Sequence, residues 1–218
     1  MTYANPLTTW AKRFLCTLGA GAALALIGCS SAPQKPEQAN AADSAAAAQA
    51  AAKPVSAAAQ EAFQRAIDAI RAEKYDQAEQ LLTAMAQSYP ELGGCYTNLG
   101  IVYYKTGKPD KAEEALKKAI EISPDQTIAY NYLGIVYREQ GKFPEALQAY
   151  QKALEVNPDY ANAHLNIGIL YDLYLVAPEK ALYHYTRYQE LVPSEDKQVK
   201  LWILDLKRRT GAAESAKG

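Results

Sequence analysis

An all-α solenoid of stacked helical hairpins, closed by a C-terminal capping helix, is the fold class this 218-residue sequence predicts. Three observations carry that expectation. Leu99-Gly100-x-x-Tyr103 returns as Leu133-Gly134-x-x-Tyr137 and again as Ile167-Gly168-x-x-Tyr171, each time 34 residues further on. A period of that length marks an array of identical supersecondary units. Glycine and proline punctuate the copies at fixed places. Gly107 and Gly141 fall where a helix ends, Pro109 and Pro144 where the next begins, and Pro124 and Pro158 where that one stops. Between these marks the apolar residues recur at helical spacing. One such hairpin cannot cover its own apolar face, so the copies must stack.

Composition narrows the function. Hydrophobic residues make up 49%, enough for a packed core. Lys and Arg number 23 against 24 Asp and Glu, a net charge of -1, so the chain lacks the basic field that binding nucleic acid requires. Three cysteines exclude a disulfide framework, and two histidines leave little material for a His-rich metal site. No Gly-rich phosphate loop, G-x-S-x-G, H-E-x-x-H or C-x-x-C is present. The expectation is therefore a non-enzyme, with no catalytic residue, cofactor, metal site or small-molecule substrate.

Taken in order, residues 1–28 read as a leader. Lys12 and Arg13 close a basic stretch, and residues 14–27 are uncharged and largely apolar. About fourteen residues give a helix of about 21 Å, short of a membrane core of about 30 Å, which favours a signal peptide over an anchor. The stretch ends Leu26-Ile27-Gly28-Cys29, which resembles the bacterial lipobox. That resemblance implies removal of 1–28, a diacylglycerol on the Cys29 thiol and an acyl chain such as palmitate on its new amine. Two or three chains hold firmly where one does not. Ser30 in place of Asp resembles the signal for an outer-membrane destination, so the expected address is the periplasmic face of the outer membrane. Cys16 leaves with the leader, and Cys95 stays as a lone thiol. Residues 29–57 are Ala, Gln, Pro and Ser with almost no large apolar side chain, and cannot offset chain entropy by burial. They read as a tether spanning roughly 30 Å, with Ala45–Lys53 as its only helix-favouring piece.

The repeats occupy 58–193, as copies at 59–92, 93–126, 127–160 and 161–194. The first is worn, keeping Phe63, Ala66, Ile67 and Ile70, then Ala78, Leu82, Met85 and Pro90. The second holds Tyr96, Leu99, Gly100, Tyr103, Ala112, Leu116, Ala119 and Pro124, and the third matches it with Tyr130, Leu133, Gly134, Tyr137, Ala146, Tyr150, Ala153 and Pro158. The fourth gains one residue before Ala181, Tyr185, Tyr188 and Pro193. This pattern resembles the tetratricopeptide repeat: an aromatic at position 4, Leu-Gly at 7 and 8, Tyr at 11, Ala at 20 and 27, a large residue at 24 and Pro at 32. The resemblance implies a right-handed superhelix that binds protein partners along a concave face built from the first helix of each pair. Residues 195–210 complete the fold as a cap, with Val199, Trp202, Ile203 and Leu206 on one face and Lys197, Lys200, Asp205 and Lys207 off it. The expected cap thus shows a polar back to water, and 211–218 reads as a disordered tail.

In the repeat family the concave face is lined mainly from positions 2, 5, 6, 9, 12 and 13. Mapped onto this chain, the candidate partner-binding residues are Asn98, Ile101, Tyr104, Asn131, Ile135, Arg138, Asn166 and Ile169. Ile101, Ile135 and Ile169 stand in register, one per repeat. They offer apolar anchors beside amides that can hold a peptide backbone, or they simply pack against the next repeat. Surplus tyrosines among the sixteen, Tyr104 among them, suit recognition. The expected function is a lipid-anchored scaffold for a protein partner in the cell envelope, similar in plan to lipoproteins that assist pilus or secretin assembly. Two alternatives stand beside it: a metal-dependent envelope enzyme or regulator centred on His164 and His184, and a self-associating structural lipoprotein.

Overall fold

The computed structural model describes residues 55–215. The leader, the lipobox cysteine Cys29 and the tether up to residue 54 lie outside the described residues, as do 216–218. All regular structure among the described residues is helical. Four hairpins follow one another: α1 (Ala57–Arg71) with α2 (Tyr75–Ser88), α3 (Gly93–Lys105) with α4 (Pro109–Ile122), α5 (Thr127–Glu139) with α6 (Phe143–Val156), and α7 (Ala161–Leu173) with α8 (Pro178–Leu191). A single helix, α9 (Lys197–Ser215), ends the fold. None of these helices is long and apolar enough to cross a membrane.

Local chemistry sets the boundaries. Ser56 caps α1 by accepting the Ala59 N–H at 3.1 Å, which satisfies a donor the helix cannot. Proline stands in the first turn of α4, α6 and α8, where its missing N–H leaves no helical bond unmade. The turns within the first three hairpins share one design. Glu73, Gly107 and Gly141 lie at φ 57°, 69° and 73°. The next residue's N–H then reaches the carbonyl five back: Lys74 to Ala69, Lys108 to Tyr103 and Lys142 to Tyr137 at 2.8–2.9 Å. In the fourth hairpin the equivalent bond joins Ala177 to Tyr171, six residues apart, at 2.9 Å. The extra residue of this copy therefore lies in the turn after α7, where Val176 takes φ 48°. A β-branched residue there is strained.

Packing within a hairpin depends on a missing side chain. Gly100 lies under Leu116, Gly134 under Tyr150 and Gly168 under Tyr185. A Cβ on Gly168 would come within 2.5 Å of the Tyr185 ring, and one on Gly100 within 2.5 Å of Leu116. Leu116 and Tyr150 are 0% exposed and Tyr185 1%. Each contributes about 1.5–3 kcal/mol by leaving water. Ala112, Ala119, Ala146, Ala153 and Ala181 are all fully buried between helices. The chain thus has the tetratricopeptide-repeat fold.

Stacking repeats a second rule. Each second helix packs on the next first helix, and first helices lie beside one another at α1–α3, α3–α5 and α5–α7. The last step differs. α9 packs on α8 through buried Val199 and Leu206, with Trp202 against Tyr185 at 5.3 Å between ring centres. Asp196 caps α9 by accepting the N–H groups of Gln198 and Val199. Yet no Cα of α9 comes within 8 Å of α7. The back of α9 also corrects the sequence reading of a polar surface, because Leu201 and Leu204 lie on it at 59% and 54% exposure. The helix continues to Ser215, five residues past the boundary drawn at 210.

Replacing Gly168 with Ala is expected to destabilise the protein by about 1–3 kcal/mol, because the new Cβ must displace Tyr185. Gly211→Ala, in open space on α9, should instead stabilise slightly through helix propensity. Thermal melts of the two variants check the opposite signs.

Candidate functional site

The first helices carry the candidate residues on one continuous face, and polar bridges connect neighbours across it. Asn166 on α7 donates through Nδ2 to Asn131 Oδ1 on α5 at 3.0 Å. Arg138, near the end of α5, donates through Nη1 to Asn166 Oδ1 at 3.4 Å. One amide therefore ties two repeats and orients a guanidinium at the surface. One step earlier, Tyr104 on α3 donates its hydroxyl to Glu139 Oε1 on α5 at 2.7 Å, with its ring edge-on to Tyr132 at 6.0 Å. Burial, then the hydrogen bond to Glu139, pushes Tyr104 up to about 12, so it stays a neutral donor at physiological pH.

The eight candidates do not share one exposure. Asn98, Tyr104, Ile135, Arg138, Asn166 and Ile169 are half-buried, each offering part of its surface. Asn98 spends its Nδ2 on the Gly94 carbonyl of its own helix at 2.8 Å. Ile101 and Asn131 are 4% and 3% exposed, which places them inside the wall of the face. Ile101 packs among Tyr132, Leu133 and Val136 of the next repeat.

The two histidines, 20 residues apart, meet. Their Nδ1 atoms are 3.0 Å apart, and His164 Nε2 lies 3.1 Å from the Pro158 carbonyl. A carbonyl only accepts, so Nε2 of His164 carries a hydrogen, and one further hydrogen is shared across the Nδ1 pair. Tyr171 and Tyr183 enclose His184 at 5.9 and 5.0 Å between ring centres. Burial, then the neighbouring His164, lowers His184 to about 4. Among the described residues no group of three or more His, Cys, Asp or Glu side chains is placed to hold a metal ion. Cys95 is 1% exposed, and burial followed by the charge of Glu91 pushes its thiol up to about 12, so it is an unreactive packing residue.

Sequence reasoning missed the exposed leucines of α9. Counted with the extra residue of the fourth repeat, Leu201 and Leu204 take the places that Asn166 and Ile169 hold on α7, 35 residues earlier. They are thus continuations of the candidate face.

These residues belong to a stack of helical repeats, and comparison with known proteins agrees on the repeats. Family models described as tetratricopeptide repeat match residues 95–126 and 115–148, and one described as TPR repeat matches 134–172. No curated protein matches the chain significantly. Among solved structures, Pseudomonas aeruginosa pilF superposes with a TM-score of 0.64 at 20% identity, over 73% of this chain and 72% of that one. MamA gives 0.58 at 23% identity, over 67% and 84%. YrrB, a TPR protein described as having an unusual peptide-binding site, gives 0.53 at 26% identity, over 66% and 73%.

The histidine pair yields a pH prediction. The unfolded chain takes up a proton near pH 6.5, while folded His184 resists until about 4. Stability from this site is therefore complete above about pH 6.5 and is lost as pH falls towards 4. Allowing for its partial contact with water, the loss between pH 7.5 and 5 should be about 1–2 kcal/mol. Urea unfolding at the two pH values measures it, and His184→Phe should flatten most of the slope.

Proposed function

We propose that this protein is a non-enzymatic scaffold, anchored by lipid at Cys29 on the periplasmic face of the outer membrane, that holds a protein partner of the cell envelope against its first-helix face. The tether of residues 29–57 lets the repeats stand off the bilayer. The assembly we assign it to is a pilus or secretin system, by analogy of plan: leader, lipobox, tether, then repeats.

The observation that carries the binding reading is the bridged surface of α3, α5 and α7. Tyr104 and Arg138 are each pinned by a neighbour, to Glu139 and to Asn166. Pre-ordered Tyr and Arg side chains dominate binding energy at protein interfaces, because little rotamer freedom remains to be lost. Half-buried Ile135 on α5 and Ile169 on α7 add apolar contacts to the same face.

Replacing Tyr104 and Arg138 together with Ala should preserve helicity and weaken capture of the envelope partner at least tenfold, measured by crosslinking in intact cells and quantitative pull-down. An aspartate at Ile101 would be a poor test, since a carboxylate at a 4% exposed position disturbs folding. Separately, Cys29→Ala should abolish metabolic labelling with palmitate and move the protein from the membrane to the soluble fraction. Retained label and membrane association would refute the anchor.

A further inference from the structure

Every large apolar side chain more than two-fifths exposed among the described residues lies between 173 and 204. These are Leu173 at 66%, Tyr174 at 44%, Val176 at 79%, Tyr183 at 59%, Leu201 at 59% and Leu204 at 54%. The chain supplies its own control for this. The turns of the first three hairpins read Arg-Ala-Glu-Lys, Lys-Thr-Gly-Lys and Glu-Gln-Gly-Lys, at 71–74, 105–108 and 139–142. The fourth reads Leu-Tyr-Leu-Val at 173–176, with Val176 held at positive φ. Strain and exposed apolar surface in one turn, where three sister turns are polar, point to a use other than folding.

The same control applies to the helices. Between α5 and α7, Asn131 meets Asn166 and closes the step with a hydrogen bond. One repeat on, with the extra residue counted, the equivalent pair is Leu165 and Leu201. Here leucines replace the amides, and the bridge from α9 to α7 is the ion pair of Arg209 with Asp172 at 2.6 Å. α9 stays more than 8 Å from α7 between Cα atoms, and Leu201 remains largely in water. On α7, half-buried Leu165 and Ile169 pack against the core shared with Val199 and Leu206, and exposed Leu173 continues their line one turn further. Water-exposed leucines gain free energy from an apolar partner.

Charge describes the rest of the occupant. Leu201 and Leu204 are bracketed along α9 by exposed Lys197, Lys200, Lys207 and Arg208. The acids of this region are already engaged: Asp172 with Arg209, Asp205 with Arg208 and Arg209, Glu195 with Lys200. Lys197 and Lys207 have no ion pair among the described residues, so the rim is net positive. We infer that the exposed apolar side chains at the C-terminal end, Leu173 of α7 with Leu201 and Leu204 of α9, form a docking slot for a peptide segment carrying two or three large apolar side chains flanked by aspartate or glutamate. This deepens the scaffold reading and rests on it, moving the anchor point from the middle of the face to its C-terminal end.

The test selects binders from a displayed library of random peptides, about sixteen residues long, on the full chain with Cys29→Ala to keep it lipid-free. Enriched peptides should pair large apolar residues at helical or alternate spacing with acidic flanks. Calorimetry with the best synthetic peptide should show at least a tenfold loss for Leu201→Gln with Leu204→Gln, at an unchanged melting temperature. Lys207→Glu with Arg208→Glu should weaken it similarly and shift the selection towards basic peptides. If binding survives the leucine changes and is lost with Tyr104→Ala and Arg138→Ala, this inference falls and the scaffold reading stands. If no peptide is selected at all, both fall. Leucine-dependent binding to phosphatidylglycerol vesicles, or leucine-dependent dimerisation by light scattering, without peptide selection, would overturn the slot by naming a lipid or a second copy as its occupant.

Discussion

Three absent side chains hold this architecture together. Gly100, Gly134 and Gly168 let Leu116, Tyr150 and Tyr185 press onto the backbone of the facing helix, where a Cβ would collide. Glycine in a helix interior costs about 1 kcal/mol in propensity, and the large residue that drops into the gap more than offsets it. The same kind of contact recurs in three hairpins, and across the stack Asn131 meets Asn166 and Tyr104 meets Glu139. The candidate face is thus built on the packing rule and decorated by residues that the rule leaves free.

The departures from that regularity cluster at one end. A single added residue lengthens the turn after α7 and shifts all later positions by one. The fourth copy also replaces the aromatic at its fourth position with His164, which pairs with His184 in the facing helix. A hydrogen-bonded pair of imidazoles stabilises that hairpin only while it stays short of protons, unlike the hydrocarbon contacts elsewhere. The last repeat and α9 therefore combine a longer turn, a titratable core and exposed leucines, while the middle repeats hold none of these together.

The fold was legible because its determinants are local in sequence and repeat. Leu-Gly-x-x-Tyr, the left-handed glycines at 107 and 141 and the proline starts each encode one contact or one turn, and 34-residue spacing does the rest. Which face carries the candidate residues was legible for the same reason. What escaped depends on distances between elements. Ile101 and Ile135 occupy equivalent positions, yet Ile101 is enclosed and Ile135 half-open. The apolar back of α9 escaped because the stripe of Val199, Trp202, Ile203 and Leu206 satisfied a cap. Only counting through the extra residue shows Leu201 and Leu204 as continuations of the groove. The histidine contact escaped because rotamers, set by Tyr171, Tyr183 and the Pro158 carbonyl, turn the rings together.

A stack in which each unit touches only its neighbours also transmits force in sequence. A pull entering the repeats at Val55 reaches α1 first, and among the described residues the α1–α2 hairpin packs outside itself on α3 alone. It is the worn copy, with Glu73 rather than glycine at its left-handed turn. Mechanical load would peel this hairpin away while Tyr104, Arg138 and Asn166 kept their geometry behind it. An end hairpin that opens first would act as a shock absorber for the repeats behind it.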